Sequence, residues 1–397
     1  MKLQYAKEVG DPRNYLPQDA SRQHPAASED MGLTGVVEYL SKAGFIFQPW
    51  QVATFVTALR TKPFLILAGI SGTGKTRLPR LVAEATGAKS EVVPVRPDWT
   101  DSSDLLGYER LTGDFVPGKL LRLCEEAMRN PTTQYFFVLD EMNIARVEYY
   151  FAEVLSVMES RRRGPDGAII SDALNLTAPD QSSSDPPGPD WSTVYLPANV
   201  SIIGTVNMDE TTHGFSRKVL DRAFVLELSE VDLSEYSSVS EPRPIGSSWS
   251  SSVWAPQYLS LSDVPDPQTN SVIVDAVNAL VRANESLQPA QLQVGFRVRD
   301  EVALFCLNAA GTQEHFVDGG QSAIDPLDLC LSMKLLPRLQ GGGILLREVL
   351  SDLETWTAAR GDESMDLETP SGFRRTHDRV RIMQQRLTQT GFTSYWV

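Results

Sequence analysis

The sequence predicts an α/β protein: a parallel five-stranded sheet interleaved with helices, followed by an all-helical C-terminal unit. Three observations carry this. Five short, largely apolar runs, 64–68, 91–95, 135–139, 200–204 and 224–228, alternate with stretches of helical period, and runs apolar on both faces mark strands buried in a parallel sheet. A glycine-rich stretch, Gly69–Thr76, directly follows the first run and precedes a helix. After about Val272 only helical periods remain.

Taken in order, residues 1–32 are polar and proline-bearing and are expected to form a loose arm. Residues 33–59 hold two short amphipathic helices, divided by Gly44 and by Gln48-Pro49, a stop followed by a start. A helix is expected from Lys75 to Thr86, closing at Gly87, with a slight kink at Pro79. Another covers Leu120 to Met128, and Val147, Phe151, Val154, Leu155 and Met158 fall on one helical face. The Ser-, Pro- and Asp-rich composition near 164–193 predicts a surface insertion within a first unit spanning 33–230. Residues 231–271 are expected to link it to a helical unit at 272–397. Helices there are placed at 272–287, 298–308, 327–336, 345–359 and 378–388.

Composition narrows the function. A net charge of −15 gives the chain no overall basic footprint, so holding nucleic acid across its outer surface is excluded and any such contact is local or made by a partner. No run of about 18 apolar residues is present, and Met1–Tyr5 does not open a secretory signal, so no membrane association is expected. Cys124, Cys306 and Cys330 match no metal or redox spacing. They are expected as buried thiols of a cytoplasmic protein.

Gly69-Ile70-Ser71-Gly72-Thr73-Gly74-Lys75-Thr76 fits GxxxxGK[ST] in full. Gly69, Gly72 and Gly74 let backbone N–H groups turn inward around phosphates, and Ser71 and Thr73 complete the loop. Lys75 supplies positive charge to the β and γ phosphates, Thr76 offers a hydroxyl to Mg²⁺, and Arg77 follows in the helix whose N-terminus faces the anion. Such a loop needs an acid for its magnesium and a base for its water. Both fall at the end of the 135–139 run. Asp140 is the candidate to hold Mg²⁺, and Glu141 the candidate to deprotonate the attacking water. Asn207 ends the next strand, where a polar side chain can orient that water. Arg217, Lys218 and Arg222 follow on a short helix and could project an arginine into another subunit's nucleotide.

Together these motifs resemble the AAA+ superfamily of P-loop NTPases and, within it, the McrB-like branch. The stretches that carry the resemblance are AGISGTGKTRL, FFVLDEMNIARVEYYFAEVLSVMESR, IIGTVNMDETTHGFSRKVLDRAF, GFRVRDEV, KLLPRLQGG and GFTSYW. The resemblance implies an AAA+ core with a C-terminal helical lid and a nucleotide, ATP or GTP with Mg²⁺, held between subunits of a homo-oligomeric ring, usually a hexamer. It casts Asn207 as sensor 1, Arg222 as arginine finger with Arg217 as second choice, and Arg297 as sensor 2. Residues 98–118 resemble a hairpin-bearing insert that faces the ring's central channel. The Asn and Asp connected with GTP preference in McrB are separated by two residues. Here Asp209 falls one place nearer Asn207, so both nucleotides stay open.

Two functions follow from the resemblance. One is a ring-forming motor that drives DNA translocation, or activates a nuclease-type partner subunit, in a restriction or defence system. DNA would then be met in the central channel or through the partner. The other is a MoxR-like ATPase chaperone that remodels a protein partner. The net charge leans towards the second, the VNMDETTH and LLPRL stretches towards the first.

Overall fold

The computed structural model describes residues 32–175, 178–181, 188–208, 213–231, 248–359 and 372–396. The expected N-terminal arm (apart from Gly32), the centre of the Ser/Pro-rich insertion, Asp209 with Glu210, and the first part of the expected linker lie outside the described residues.

The five apolar runs form strands β1 (Phe64–Gly69), β2 (Lys89–Pro94), β3 (Tyr135–Asp140), β4 (Val200–Asn207) and β5 (Phe224–Glu227). They make one parallel sheet in the order β2-β3-β4-β1-β5. In β1, β3 and β4 the apolar residues are buried on both faces, as a sheet covered by helices on each side requires. Around them lie α1 (Leu33–Lys42), α2 (Pro49–Thr61), α3 (Arg77–Thr86), α4 (Lys119–Arg129) and α5 (Ala152–Glu159).

Register decides what meets at the sheet's edge. Gly69 is level with Asn207, Leu139 with Gly204, and Pro94 with Asp140. The C-terminal tips of β1, β3 and β4 therefore stand side by side, with the glycine-rich loop, the Asp-Glu pair and the strand-end Asn on them.

Two helices of this unit differ from expectation. α3 begins at Arg77 rather than Lys75, so Pro79 is its third residue. First-turn N–H groups have no intrahelical acceptor, and a proline there forgoes no hydrogen bond. The face expected at 147–158 is split into a turn at Val147–Tyr150 and α5, with Phe151 between them at φ −114° and ψ 0°. Phe151 is fully buried, its ring 5.3 Å from that of Phe64. The 98–118 insert holds a short helix, Ser103–Leu106, and an antiparallel hairpin pairing Tyr108–Glu109 with Phe115–Val116. A second hairpin pairs Arg162–Arg163 with Ile169–Ile170 and opens the expected insertion.

The C-terminal helices are α6 (Ser271–Leu287), α7 (Phe296–Ala310), α8 (Pro326–Leu335), α9 (Ile344–Ala359) and α10 (Arg374–Thr390). α10 starts four residues before the expected 378. A two-stranded ribbon, Gln340–Gly341 with Thr393–Ser394, ties the chain's last residues to the end of α8. Residues 248–271, expected as linker, are packed. Trp254 is buried with its ring 5.0 Å from that of Phe136, and the Trp249 N–H donates to the Thr86 carbonyl at 2.8 Å. Two tryptophans supply apolar area that a Ser/Pro-rich average conceals. The three cysteines are buried and unpaired. Among the described residues no helix is long and apolar enough to cross a membrane.

The helical unit is joined to the sheet's N-terminal edge by buried charge. Glu301 of α7, 7% exposed, accepts from Lys334 of α8 at 2.5 Å and from Lys62, which precedes β1. Burial alone would raise the Glu301 carboxyl, but Lys334 and Lys62 hold it below the usual carboxylate range. Burial lowers the Lys334 ammonium, which Glu301 partly counters. Lys334 also donates to the backbone carbonyls of Ala223 (2.8 Å) and Asp221 (3.3 Å). Glu301→Gln should destabilise the chain by roughly 3–5 kcal/mol, because it leaves the buried Lys334 ammonium without a counter-charge. The double variant Glu301→Leu, Lys334→Met should recover part of that loss in urea denaturation. Because the Glu301 pKa is depressed on folding, its contribution is full above the ordinary carboxylate pKa and is lost as pH falls through the folded value. The gap between wild type and Glu301→Gln should therefore narrow in acid.

Candidate functional site

The loop between β1 and α3 is shaped by glycine. Gly69, Gly72 and Gly74 all have positive φ, at 157°, 87° and 87°. A Cβ at Gly69 would stand 2.7 Å from the Leu228 carbonyl oxygen, and one at Gly74 would stand 3.0 Å from the Phe47 ring. No other residue fits at Gly69 without moving backbone. Lys75 is buried under the loop and donates to the carbonyls of Gly69 (3.0 Å) and Ile70 (2.6 Å), while the Thr73 hydroxyl donates to Ile70 at 3.2 Å. Ser71 and Gly72 sit on the rim. Arg77, at the start of α3, stacks on Phe45 with its guanidinium carbon 5.8 Å from the ring centroid.

Facing this loop, the tips of β3 and β4 carry a connected set of oxygens. Asp140 Oδ1 accepts from the Thr76 hydroxyl at 2.6 Å and from the Thr205 hydroxyl at 2.7 Å. Thr205 Oγ1 in turn accepts the Glu141 N–H at 3.0 Å. Glu141 holds a left-handed backbone, φ 53° and ψ 51°, which is unusual for a residue with a Cβ. Strain of this kind, on the order of 1–3 kcal/mol, persists where the surroundings impose it, and it gathers at functional sites. Asn207 Nδ2 donates to Glu141 Oε1 at 3.4 Å. Asp140 and Thr76 present two hard oxygens to the same point, a donor set that suits a magnesium ion completed by phosphate and water.

The structure thus brings Lys75, Thr76, Asp140, Glu141 and Asn207 together. It does not bring Arg217, Arg222 or Arg297 to them. Arg222 stands two residues before β5 and Arg297 is the second residue of α7; both lie at the sheet's N-terminal edge. Arg222 Nε is 3.3 Å from Glu159 Oε1, and Arg297 pairs with Glu159 Oε2. β1 has six residues of about 3.3 Å each, which puts the two edges about 20 Å apart. Arg217 is exposed and donates to the Gln291 carbonyl at 3.2 Å.

Four participants escaped the sequence. Thr205 supports both acids, and the signal was its alternation with Asn207, since residues two apart on a strand share a face. Phe45 and Phe47 wall the loop from a segment between α1 and α2 that carries no motif. Glu159 had the look of an ordinary surface acid at the end of a helix.

Residues 64–225 match the AAA domain of the dynein-related subfamily, and residues 246–392 match a domain of unknown function, DUF8727. A stretch of 192 residues is 29% identical to the type IV methyl-directed restriction enzyme EcoKMcrB subunit of Escherichia coli (strain K12). That stretch is 46% of this chain and 38% of the relative, so the chain spans well under half of that protein's length. A crystal structure of a candidate ATPase from Cytophaga hutchinsonii is 15% identical, with a TM-score of 0.45, over 77% of this chain and 86% of the other. Residues 64–225 thus carry an AAA domain of the dynein-related subfamily, and the chain is similar to the McrB subunit over part of its length.

Proposed function

We propose that the chain hydrolyses ATP or GTP with Mg²⁺ in a ring of copies, usually six, where each subunit completes its neighbour's site. The observation that carries this is the separation of the catalytic groups. The phosphate loop, Asp140, Glu141 and Asn207 stand at one edge of the sheet, and Arg222 and Arg297 at the other, about 20 Å away. Groups so placed serve one reaction only when subunits are stacked edge to edge.

In this reading Lys75 leaves its loop carbonyls to bind the β and γ phosphates. Gly69, Ser71, Gly72, Thr73 and Gly74 supply backbone donors, and Arg77 with Phe45 flanks the nucleoside. Thr76 and Asp140 would hold a magnesium ion, which would supply positive charge against the phosphates. Asn207 orients the attacking water and Glu141 takes its proton. Arg222 from the adjoining subunit stabilises the charge that builds on the transferred phosphoryl group, with Arg297 beside it and Arg217 as the alternative finger.

Turnover would drive a cytoplasmic motor that moves DNA or activates a nuclease-type partner, by likeness to the McrB relative. The hairpin at 108–116, with Leu111 fully exposed at its tip, would face the channel. The net charge of −15 favours the second reading, a MoxR-like ATPase that remodels a protein partner. Affinity capture of native partners separates the two: a nuclease subunit for the first, a non-nuclease client for the second.

Three outcomes test the chemistry. Lys75→Ala should weaken binding of a fluorescent triphosphate analogue at least tenfold, about 1.4 kcal/mol, whereas Glu141→Gln should bind normally and stop turnover. Unchanged hydrolysis in Glu141→Gln would place the base elsewhere. Thr205→Val keeps the strand's shape and removes both support bonds. Single-turnover hydrolysis should then slow by roughly 10–100-fold, about 1.4–2.7 kcal/mol, with binding within about threefold of wild type. For the ring, Arg222→Ala and Glu141→Gln subunits should each be inactive, and mixing them should restore activity at interfaces that join an intact Glu141 to an intact Arg222. If co-assembled mixtures stay silent, Arg222 is not the finger; repeating the mixture with Arg217→Ala then tests the alternative.

A further inference from the structure

Glu159 is the last residue of α5, where the helix presents its unsatisfied carbonyls. A carboxylate is disfavoured at that negative end, and a cation would suit it better. The placement is offset by three cations from three separate segments. Lys62, ahead of β1, donates to Oε1 at 3.3 Å, Arg222 brings its Nε within 3.3 Å of the same oxygen, and Arg297 of α7 pairs with Oε2. The carboxylate is 21% exposed, Arg222 20% and Arg297 42%, so the group opens to solvent on the arginine side. Towards the interior Lys62 passes the alternation on to buried Glu301 and Lys334.

Arg222 is held in a particular way. Its main chain is fixed, because Lys334 grips the carbonyls on either side of it, at Asp221 and Ala223, and Arg338 pairs with Asp221 at 3.2 Å. Its side chain is not held as firmly. Nη1 donates to the Lys218 carbonyl at 2.7 Å, while Nε faces Glu159 as an ion pair without a directed hydrogen bond. Two guanidiniums this close repel each other unless an anion stands between them. Glu159 is that anion.

We propose that Glu159 is a positioning residue that holds Arg222 and Arg297 side by side on the face offered to a neighbouring copy of this chain, ready to close on that copy's phosphates. The proposal rests on the reading that these arginines act in trans. It assigns Glu159 no contact with nucleotide and no effect on the site of its own subunit. Its consequence is one-sided: the subunit that donates arginines needs Glu159, and the subunit that receives them does not.

The test places one substitution on either side of a single interface. The parent mixture joins donor subunits carrying Glu141→Gln with recipient subunits carrying Arg222→Ala, and recovered hydrolysis comes from donor arginines at recipient sites. Adding Glu159→Gln to the donor should lower the kcat of the recovered activity at least tenfold while KM stays within about twofold. Adding it to the recipient should leave recovery within about twofold. Co-assembly is checked in each mixture by pulling down one tagged subunit type. Equal losses in the two arms would show that Glu159 serves only the fold, and no loss in either would show that the arginines need no such holder; each result overturns the proposal. A silent parent mixture that has co-assembled removes the trans reading itself, and the role of Glu159 with it.

Discussion

The parallel polarity of the five-stranded sheet is the constraint on which everything else here depends. When all strands run the same way, every C-terminal tip falls on one edge and every N-terminal start on the other. The first edge collects the phosphate loop, Asp140, Glu141 and Asn207, because Gly69, Asp140 and Asn207 end adjacent strands in matching register. The second collects Lys62 before β1 and Arg222 before β5, and α7 adds Arg297 there. Neither edge holds all of the candidate site residues.

A buried carboxylate keeps the second edge in order. Glu301 lies between Lys334 and Lys62, so one charge cluster joins α7, α8 and the entry to β1. Lys334 spends its remaining donors on the carbonyls around Arg222. The helical unit therefore does more than cover one end of the sheet, since it fixes the backbone from which the half-buried Arg222 projects. Buried ion clusters are weak sources of net stability, because desolvation offsets much of the attraction. A cluster like this one specifies geometry more than it adds strength.

At the first edge the economy is similar. One hydroxyl, that of Thr205, holds Asp140 by donating and Glu141 by accepting. It keeps a strained backbone at Glu141, so the carboxylate turns away from the strand direction towards Asn207. A valine of the same shape could fill that space, but it could not impose the turn.

Much of this was legible in the chain. The five strands, the two opening helices and all five C-terminal helices follow from apolar runs and helical period, which local sequence controls. So does the candidate phosphate site, since the glycines, Lys75, Thr76 and the Asp-Glu pair each sit in a short segment. What local sequence could not supply was proximity between segments far apart. Pro79 looked like a fault until the helix was seen to begin two residues later. The serine- and proline-rich stretch concealed Trp254, whose partner Phe136 lies 118 positions away. Arg297 carries no mark in its sequence of the edge it serves. The sequence by itself determined where the glycine-rich loop, its lysine and threonine, and the Asp-Glu pair fall in the chain, because these are matters of residue type and short spacing. Only the tertiary structure decided that the arginines stand on the opposite edge, gathered by Glu159, because strand order and the docking of α7 bring together Lys62, Glu159, Arg222 and Arg297 from across the chain.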